Sequence, residues 1–460
     1  MMDKKTPVLN KRMTALAVCL SALTAPAWAQ NASVPSHSEV DQVFREVIAN
    51  PSSIDIRTKY ASLLVRSGNY EGGIAALEGL LLAPDAPVNI RLELAVLYYR
   101  LGSYAMAETY LRDALADPRL DAKQKDEAQS LLRDVVARNK PSRFSGMVML
   151  GVRTQTNPTG ATDNGTVLSQ GLSVPRGADF APKSDTDVHA WALLDHVYDL
   201  EKQNEAAITT TLMGYANHYS SVGSYSNQAG STKPYDLTVL AGSTGLRFKP
   251  APETQQDWTL RPHLLFGGAT ANGSSYFTTG GWGVNTEYRM SERLTYGGTY
   301  ENSRLTFPAR DDIANSPSLG GSRQVLRLNA TVETGANRFL MSEFGYVDHD
   351  GNVSYTGYRG PELRLSYIFS YPSPFSATAL PWATTLMGSA LRRDYRSPDP
   401  AVSLLTTRQD TEWRLGLINV APMSRDLAVQ FQLEYTNTNS NIPNYSSTNT
   451  SGTLGVIWKY

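Results

Sequence analysis

Cysteine is almost absent from this sequence, since Cys19 is the single one among 460 residues. The chain also lacks the His-Glu-x-x-His, Gly-x-Ser-x-Gly and Gly-x-x-x-x-Gly-Lys-Ser/Thr motifs of metalloproteases, hydrolases and nucleotide-binding proteins. Six histidines are present, and their spacing is not that of metal ligands. We therefore predict that this protein is not an enzyme, with no catalytic residues and no bound metal or cofactor.

Long apolar runs and an excess of one charge are absent as well. No uninterrupted apolar run reaches the roughly 18 residues that a membrane helix needs. The formal net charge is only −1, so no basic surplus indicates a nucleic-acid partner. A protein with this sequence would have to cross a membrane as a β-barrel.

The first 29 residues have the pattern of a signal peptide. Four basic residues within 4–12 precede an apolar stretch, Met13–Thr24, and Ala27-Trp28-Ala29 forms a small-x-small cleavage site. We expect cleavage before Gln30 and a polar leader over 30–38. The alternative, a lipobox ending at Cys19, has a short apolar stretch and Val18 at an unfavourable position. Cleavage leaves a mature chain without cysteine, which suits an oxidising compartment.

An internal repeat with an offset of 34 residues occupies the region 39–140. This period is that of the tetratricopeptide repeat, a helix–turn–helix unit. The two copies share nine identical residues: Arg57 and Arg91, Ala61 and Ala95, Leu63 and Leu97, Arg66 and Arg100, Gly68 and Gly102, Tyr70 and Tyr104, Leu77 and Leu111, Leu81 and Leu115, Pro84 and Pro118. With helical segments on both sides as caps, we predict an all-α solenoid of about six helices.

A repeat solenoid usually binds a peptide or protein in its concave face. From the repeat register, Val65, Asn89 and Tyr99 are candidates to line a groove that binds a peptide or protein. A purely structural helical domain is the alternative.

After Pro141 the hydrophobic period changes from 3.6 to 2, which marks the start of a β domain over 142–460. Fourteen alternating segments bounded by turn residues predict an antiparallel transmembrane barrel. The strands are predicted at Phe144–Thr154, Val188–Leu200, Ala206–Tyr219, Leu237–Phe248, Trp258–Ala271, Tyr276–Arg289, Leu294–Arg304, Arg323–Glu333, Arg338–Asp348, Ser354–Phe369, Trp382–Tyr395, Arg408–Val420, Leu427–Thr438 and Ser451–Tyr460.

The loop lengths support a barrel rather than a sandwich. Most long and short connections fall on opposite parities, as they do when one barrel end faces outside and the other faces the periplasm. An even strand count returns the chain to the side on which it began. We therefore predict an outer-membrane barrel of a Gram-negative bacterium with its helical domain in the periplasm.

The last strand is typical of a barrel-assembly signal. Leu454, Val456, Trp458 and Tyr460 share one apolar face, and the two aromatics suit the membrane–water interface. We expect this strand to contact lipid and the barrel-assembly machinery, and to pair with the first strand near Val148 and Leu150.

Charged residues at alternate positions predict a polar lumen. Inward-facing Arg327, Arg364 and Arg414 are balanced by Glu333, Glu362, Asp410 and Glu412. Bracing of the wall by cross-strand pairs is favoured over the lining of a conduit.

The whole organisation resembles the surface lipoprotein assembly modulator (Slam-type) family. The local likeness is carried by Arg408-Gln409-Asp410 and by the hairpin Asn439–Tyr445 before the terminal strand. The resemblance implies a translocator that captures a client, often a lipoprotein, and helps it to reach the cell surface. Two alternatives are a conduit for an anionic polysaccharide, which should show an excess of inward Arg and Lys, and a structural or adhesive barrel.

Overall fold

A computed structural model describes residues 37–50, 53–81, 89–200, 205–220, 234–252, 254–255, 257–313, 315–375 and 380–460. The predicted signal peptide, most of the leader and Pro84 lie outside these residues. The chain forms two compact units, one helical and one a β-barrel. This is the predicted fold class.

Six helices form the helical unit, and no helix among the described residues is long and apolar enough to cross a membrane. Consecutive helices pack against each other along the chain. Their bounds are α1 His37–Ala49, α2 Ile54–Arg66, α3 Tyr70–Leu81, α4 Asn89–Arg100, α5 Tyr104–Ala116 and α6 Ala122–Asn139.

The helices and turns of the two sequence repeats have equivalent structures. Ala61 and Ala95 are both buried at equivalent positions of α2 and α4, where a small side chain lets two helices approach closely. Gly68 and Gly102 follow these helices with φ of 85° and 76°. That backbone conformation is accessible to glycine at little cost, and it ends each helix before the next one starts.

Helix α6 begins with a capping box. The Asp121 side chain accepts a hydrogen bond from the Gln124 backbone N–H at 2.8 Å, and the Gln124 side chain accepts one from the Asp121 N–H at 3.3 Å. The box satisfies two donors that the first helical turn leaves unpaired. The apolar face of α6, which includes the buried Val135, covers the second repeat.

The second unit is a closed antiparallel barrel of fourteen strands, as predicted. Its strands are β1 Ser142–Gln155, β4 Asp185–Asp199, β5 Ala206–Tyr219, β6 Leu237–Phe248, β7 Trp258–Ala271, β8 Ser274–Ser291, β9 Leu294–Thr306, β10 Gly321–Gly335, β11 Arg338–Gly351, β12 Tyr358–Tyr371, β13 Trp382–Tyr395, β14 Gln409–Pro422, β15 Leu427–Ser440 and β16 Ser447–Lys459. The small hairpin β2 Thr166–Ser169 and β3 Leu172–Pro175 lies outside this ring.

Several predicted segments differ from the structure, and β4 and β16 begin at Asp185 and Ser447, three and four residues before their predicted starts. The connection after β1, expected to be a polar loop, contains the β2–β3 hairpin. The strand expected from Ser354 begins at Tyr358, because Ser354–Thr356 forms a short 3-10 helix. The Thr356 hydroxyl donates to the carbonyls of Val353 and Ser318, both at 2.8 Å. These side-chain bonds favour a turn over a strand at this point.

The barrel closes where its last strand meets its first. Val148 pairs with Trp458 and Leu150 with Val456, as expected from the sequence. The pairing reaches the final residue, because the backbone N–H groups of Gly146 and Tyr460 each donate to the other residue's carbonyl at 3.2 Å. No open strand edge therefore remains at this junction.

Alternate side chains of the strands form an apolar exterior. On β16, Leu454, Val456 and Trp458 are 60%, 45% and 51% exposed, whereas Ile457 on the opposite face is fully buried. The same outward pattern extends around the barrel in Leu150, Val152, Val188, Leu240, Leu264, Leu326, Leu328, Phe344, Leu363, Leu365, Leu415 and Leu433. A closed antiparallel barrel with an even strand number and an apolar exterior is the architecture of outer-membrane proteins.

Substitution of Leu94 tests the core of the helical unit. Leu94 is completely buried on α4, so Leu94→Ala should cost about 2–5 kcal/mol of unfolding free energy through lost burial and a cavity. The measurement is thermal unfolding followed by circular dichroism at 222 nm, with limited proteolysis of the intact protein. Val96→Ala is the matched control on the same helix, where the side chain is 37% exposed. Equal effects of the two changes would contradict this packing.

Removal of Trp458–Tyr460 tests the closing strand. This truncation deletes the last pairs with β1, so we expect impaired membrane assembly while the helical unit stays folded. Assembly is measured as heat-modifiable gel mobility of the barrel in the outer-membrane fraction. Leu405→Ser, at a 93% exposed position in a loop, is the control and should assemble normally. Normal amounts of folded barrel after the truncation would show that this strand end is dispensable.

Candidate functional site

A cavity of about 190 Å³ lies inside the barrel, towards the end where β1 leads into its long connection. One wall comes from β5 and β6, and it combines the apolar Met213, Leu237, Val239 and Ala241 with Tyr215, Asn217 and Tyr219. The opposite wall comes from β14, β15 and β16 and carries hydroxyl, amide and charged groups. The main lining residues are Arg153, Gln155, Met213, Tyr215, Tyr219, Leu237, Val239, Ala241, Glu412, Arg414, Glu434, Thr436, Thr438, Asn449 and Ser451.

Arg153 organises one side of this cavity. Its guanidinium donates to both carboxylate oxygens of Asp187, at 3.0 and 2.9 Å, and to the Tyr215 hydroxyl at 2.9 Å. Gln155 donates to the same Asp187 at 3.1 Å and to the Tyr219 hydroxyl at 3.0 Å. These bonds join β1, β4 and β5 across the inner wall, and the paired geometry satisfies a fully buried carboxylate.

A second charged cluster is centred on Glu412 of β14. Its side chain is completely buried and contacts Arg414 at 2.5 Å and Arg393 at 3.5 Å. Next to it, Arg408 pairs with Asp410 at 2.6 Å. An unpaired charge in this interior would carry a large desolvation penalty. The attraction within each ion pair offsets that penalty.

Further ion pairs brace the opposite side of the barrel. Arg327 contacts Glu301 at 3.4 Å and Glu343 at 3.7 Å, while Arg364 pairs with Glu343 and, at 2.8 Å, with Glu362. The pairs connect four consecutive strands, β9 to β12. The predicted bracing by Arg327, Arg364 and Arg414 is therefore present, with Glu301 and Glu343 as partners that the sequence interpretation did not identify.

The lumen is not polar throughout, which corrects the expectation from the sequence. Towards the short-turn end, inward-facing apolar side chains form a buried cluster with the sulfur-containing Met147 and Met149 at its centre. Trp191 donates its indole N–H to the Met149 sulfur at 2.8 Å. The cluster also contains Leu193, Ile418, Val420, Ala428 and Ile457. Because these inward-facing residues are buried, side chains fill this part of the interior.

The connection after β1 forms part of the cavity wall. Asn157 is 2% exposed and donates to the carbonyls of Ala161 at 2.8 Å and Thr448 at 3.0 Å. Further along, the backbone N–H of Leu168 donates to the Asn444 side chain at 2.7 Å, and Gly171 donates to the carbonyl of Val402 at 2.8 Å. The connection is therefore tied to the loops between β13 and β14 and between β15 and β16.

The three predicted groove residues occupy different environments in the helical unit. Asn89 is exposed at the start of α4, and its amide donates to Glu93 at 3.2 Å. Val65 packs against the core formed by α2 to α4. Tyr99 donates to Asp134 at 2.5 Å and contacts the Tyr104 ring. Their role in client binding stays a prediction.

Two carboxyl groups of the helical unit show how the local surroundings set the pKa. Hydrogen bonds from the side chain and backbone of Arg119 lower the pKa of Asp117 to about 2. Burial raises the pKa of Glu93, against the smaller opposite effect of its bond from Asn89. Within the described residues, no group of three or more His, Cys, Asp or Glu side chains has an arrangement that could hold a metal ion.

Comparison with known proteins yields similar solved structures but no family. No family profile matches the chain, and no curated protein matches it. A bacterial polysaccharide outer membrane secretin is 8% identical with a TM-score of 0.36, covering 68% of this chain and 98% of its own. A Pseudomonas aeruginosa FadL homologue is 10% identical (TM-score 0.36, 70% and 93% covered), and Pseudomonas putida OprB is 10% identical (TM-score 0.34, 72% and 97% covered).

The buried ion pair of Arg393 provides a test of the lumen. Arg393→Met should lower the unfolding free energy of the barrel by up to about 3 kcal/mol, because Glu412 loses one of its two cationic partners. The midpoint of heat-dependent unfolding on gels measures the effect. The control is Arg392→Met on the outer face, where the side chain is 52% exposed and its pair with Asp394 contributes about 1 kcal/mol or less. A larger effect from the control would refute the inward assignment.

Proposed function

We propose that this protein is an outer-membrane translocator. Its helical domain captures a client protein, a surface lipoprotein in the first instance, and its barrel assists delivery of that client to the cell surface. The observation that carries the proposal is the fusion of a two-copy helical repeat, a usual platform for protein binding, to a closed barrel whose interior is partly filled by side chains. Binding and membrane passage are thus assigned to separate units.

The topology supports a periplasmic helical domain. Strand β1 starts and β16 ends at the same barrel end, since Met147 pairs with Lys459. At this end lie the two-residue turns 292–293 and 336–337, whereas the long connections 156–184 and 307–320 lie at the other. Short turns face the periplasm in outer-membrane barrels. The helical domain, which precedes β1, is therefore proposed to lie where clients arrive.

A conduit for an anionic polysaccharide is less well supported. Such a pathway needs cationic side chains that are available to the polymer. Five lumenal arginines pair with carboxylates, whereas Arg261 donates to the Thr209 and Ser243 hydroxyls. The five are Arg153, Arg327, Arg364, Arg393 and Arg414. Their charge is compensated within the wall, which favours bracing over attraction of a polyanion.

Deletion of Val40 to Asn139 tests client capture. If the helical domain supplies the binding step, the deletion should abolish surface exposure of at least one outer-membrane lipoprotein. Exposure is measured by protease accessibility on intact cells, for every candidate lipoprotein of the host. Heat-modifiable mobility confirms that the barrel still assembles. Unchanged exposure of every candidate would defeat the capture model.

A point variant localises the binding surface within the helical domain. Asn89→Arg adds a bulky cation at an exposed candidate groove position, and should reduce client exposure by obstructing contact. Glu71→Arg, at an exposed position on α3, is the matched control and should leave exposure unchanged. The same assay on intact cells compares them. Equal behaviour of the two variants would remove Asn89 from the client surface.

A further inference from the structure

The polar wall of the lumenal cavity carries polar side chains that have no hydrogen-bond or ion-pair partner among the described residues of the barrel. Glu434, Thr436 and Thr438 follow each other at alternate positions on β15, and Ser451 lies opposite Glu434 on β16. Within the described part of the chain, none of these four side chains forms a hydrogen bond or ion pair. This contrasts with Arg153, Gln155, Glu412 and Arg414 around the same cavity, which are all engaged.

The opposite wall has a different character. Met213 projects from β5, and Leu237, Val239 and Ala241 occupy alternate positions of β6. These four residues supply the apolar part of this wall, beside Tyr215, Asn217 and Tyr219, whose polar groups are engaged in hydrogen bonds. A mostly apolar pocket with a few convergent polar groups is the usual form of a small-molecule site. The ligand that matches it has one apolar face and several hydrogen-bonding groups on another.

Size and charge narrow the class of ligand. An engineered cavity of about 150 Å³ accepts benzene, so about 190 Å³ accommodates one six-membered ring. Charged groups of both signs line the cavity, since Arg153 and Arg414 accompany Glu412 and Glu434. Arg153 is neutralised by Asp187, and the unpaired Glu434 carboxylate offsets the second arginine that shares Glu412, because both Arg393 and Arg414 pair with that residue. The charges around the cavity therefore balance, and no net charge is left to attract a free ion. A neutral ring is favoured.

We propose that this cavity binds a single pyranose sugar unit. The C–H face of the ring would lie against Met213, Val239 and Ala241. Its hydroxyl groups would donate to the Glu434 carboxylate and exchange hydrogen bonds with Thr436, Thr438 and Ser451, since a carboxylate accepts and a hydroxyl does both. The sugar is either free or the terminal unit of a glycan. This site belongs to the barrel alone and does not depend on client capture by the helical domain.

The experiment uses the purified full-length protein in a detergent without a sugar head group, such as an amine oxide. Saturation-transfer NMR and calorimetry measure binding of methyl glucoside, methyl galactoside, methyl mannoside and N-acetylglucosamine. Tetrahydropyran, the same ring without hydroxyls, is the control ligand. We expect saturable binding of at least one sugar, and at least about tenfold weaker binding of tetrahydropyran. No saturable sugar binding, or equal binding of tetrahydropyran, would overturn the proposal.

Variants assign the binding to this cavity. Glu434→Gln replaces one acceptor oxygen of the carboxylate with an NH2 donor, and Thr436→Val removes a hydroxyl, so each should raise the Kd about tenfold. Ala241→Phe fills the cavity from the apolar wall and should abolish binding. Thr331→Val, at a lumenal position of β10 outside the cavity lining, should leave the Kd unchanged.

Heat-modifiable mobility verifies that each variant folds. If a β15 variant fails to fold, the loss of sugar binding in Ala241→Phe tests the site instead. Unaltered affinity in the folded variants would refute the site. If a disaccharide binds more tightly than the methyl glycoside of its terminal sugar, the ligand is the end of a glycan. Equal affinity identifies the free sugar, and both results support the site.

Discussion

The need to hydrogen-bond every backbone group of the membrane-spanning wall governs this structure. In hydrocarbon, an unpaired N–H or C=O costs several kcal/mol, so a β-sheet that crosses a membrane must close on itself. Closure here requires β16 to pair with β1, and their register continues to the terminal Tyr460. The chain cannot complete its wall until its last residues are in place. Because the number of strands is even, both ends of the β domain lie at one barrel end.

Closure also creates an interior that must be filled or hydrated. Towards the short-turn end, an apolar cluster around Met147 and Met149 fills one side of the interior. Further from that end, charged groups occur in pairs. The pairs join neighbouring strands, so they stiffen the wall while neutralising each other. The side chains of Glu434 and Thr436 differ from these pairs, because neither forms a hydrogen bond or an ion pair within the described residues.

The two units would divide the tasks of the proposed translocator. The helical unit repeats a 34-residue pattern, and its core positions repeat with it, as shown by buried Ala61 and Ala95. The barrel supplies a lipid-compatible exterior and a partly filled interior. A function in which one unit recognises a client and the other acts at the membrane uses both, whereas an adhesive barrel would not need the repeat.

Local pattern alone determined much of this fold. The predicted bounds of Ala206–Tyr219, Leu237–Phe248, Trp258–Ala271 and Trp382–Tyr395 agree with the strands β5, β6, β7 and β13. Alternating side chains bounded by turn residues are sufficient for this, because a strand's two faces follow from its period of 2. The same period placed Leu454 and Val456 outside. The segment from Ser354 was wrong because hydrogen bonds of Thr356 with a distant loop stabilise a turn.

The cavity could not be predicted from the sequence. Alternation shows that Met213, Val239, Glu434 and Thr436 face inward, but it does not show which inward side chains meet across the barrel. Strands β5 and β15 become close only because β1 and β16 close the ring between them. The sequence by itself determined the helical repeat, the strands and the two faces of the wall. The tertiary structure decided which residues share the cavity, because closure brings together segments that are more than two hundred residues apart.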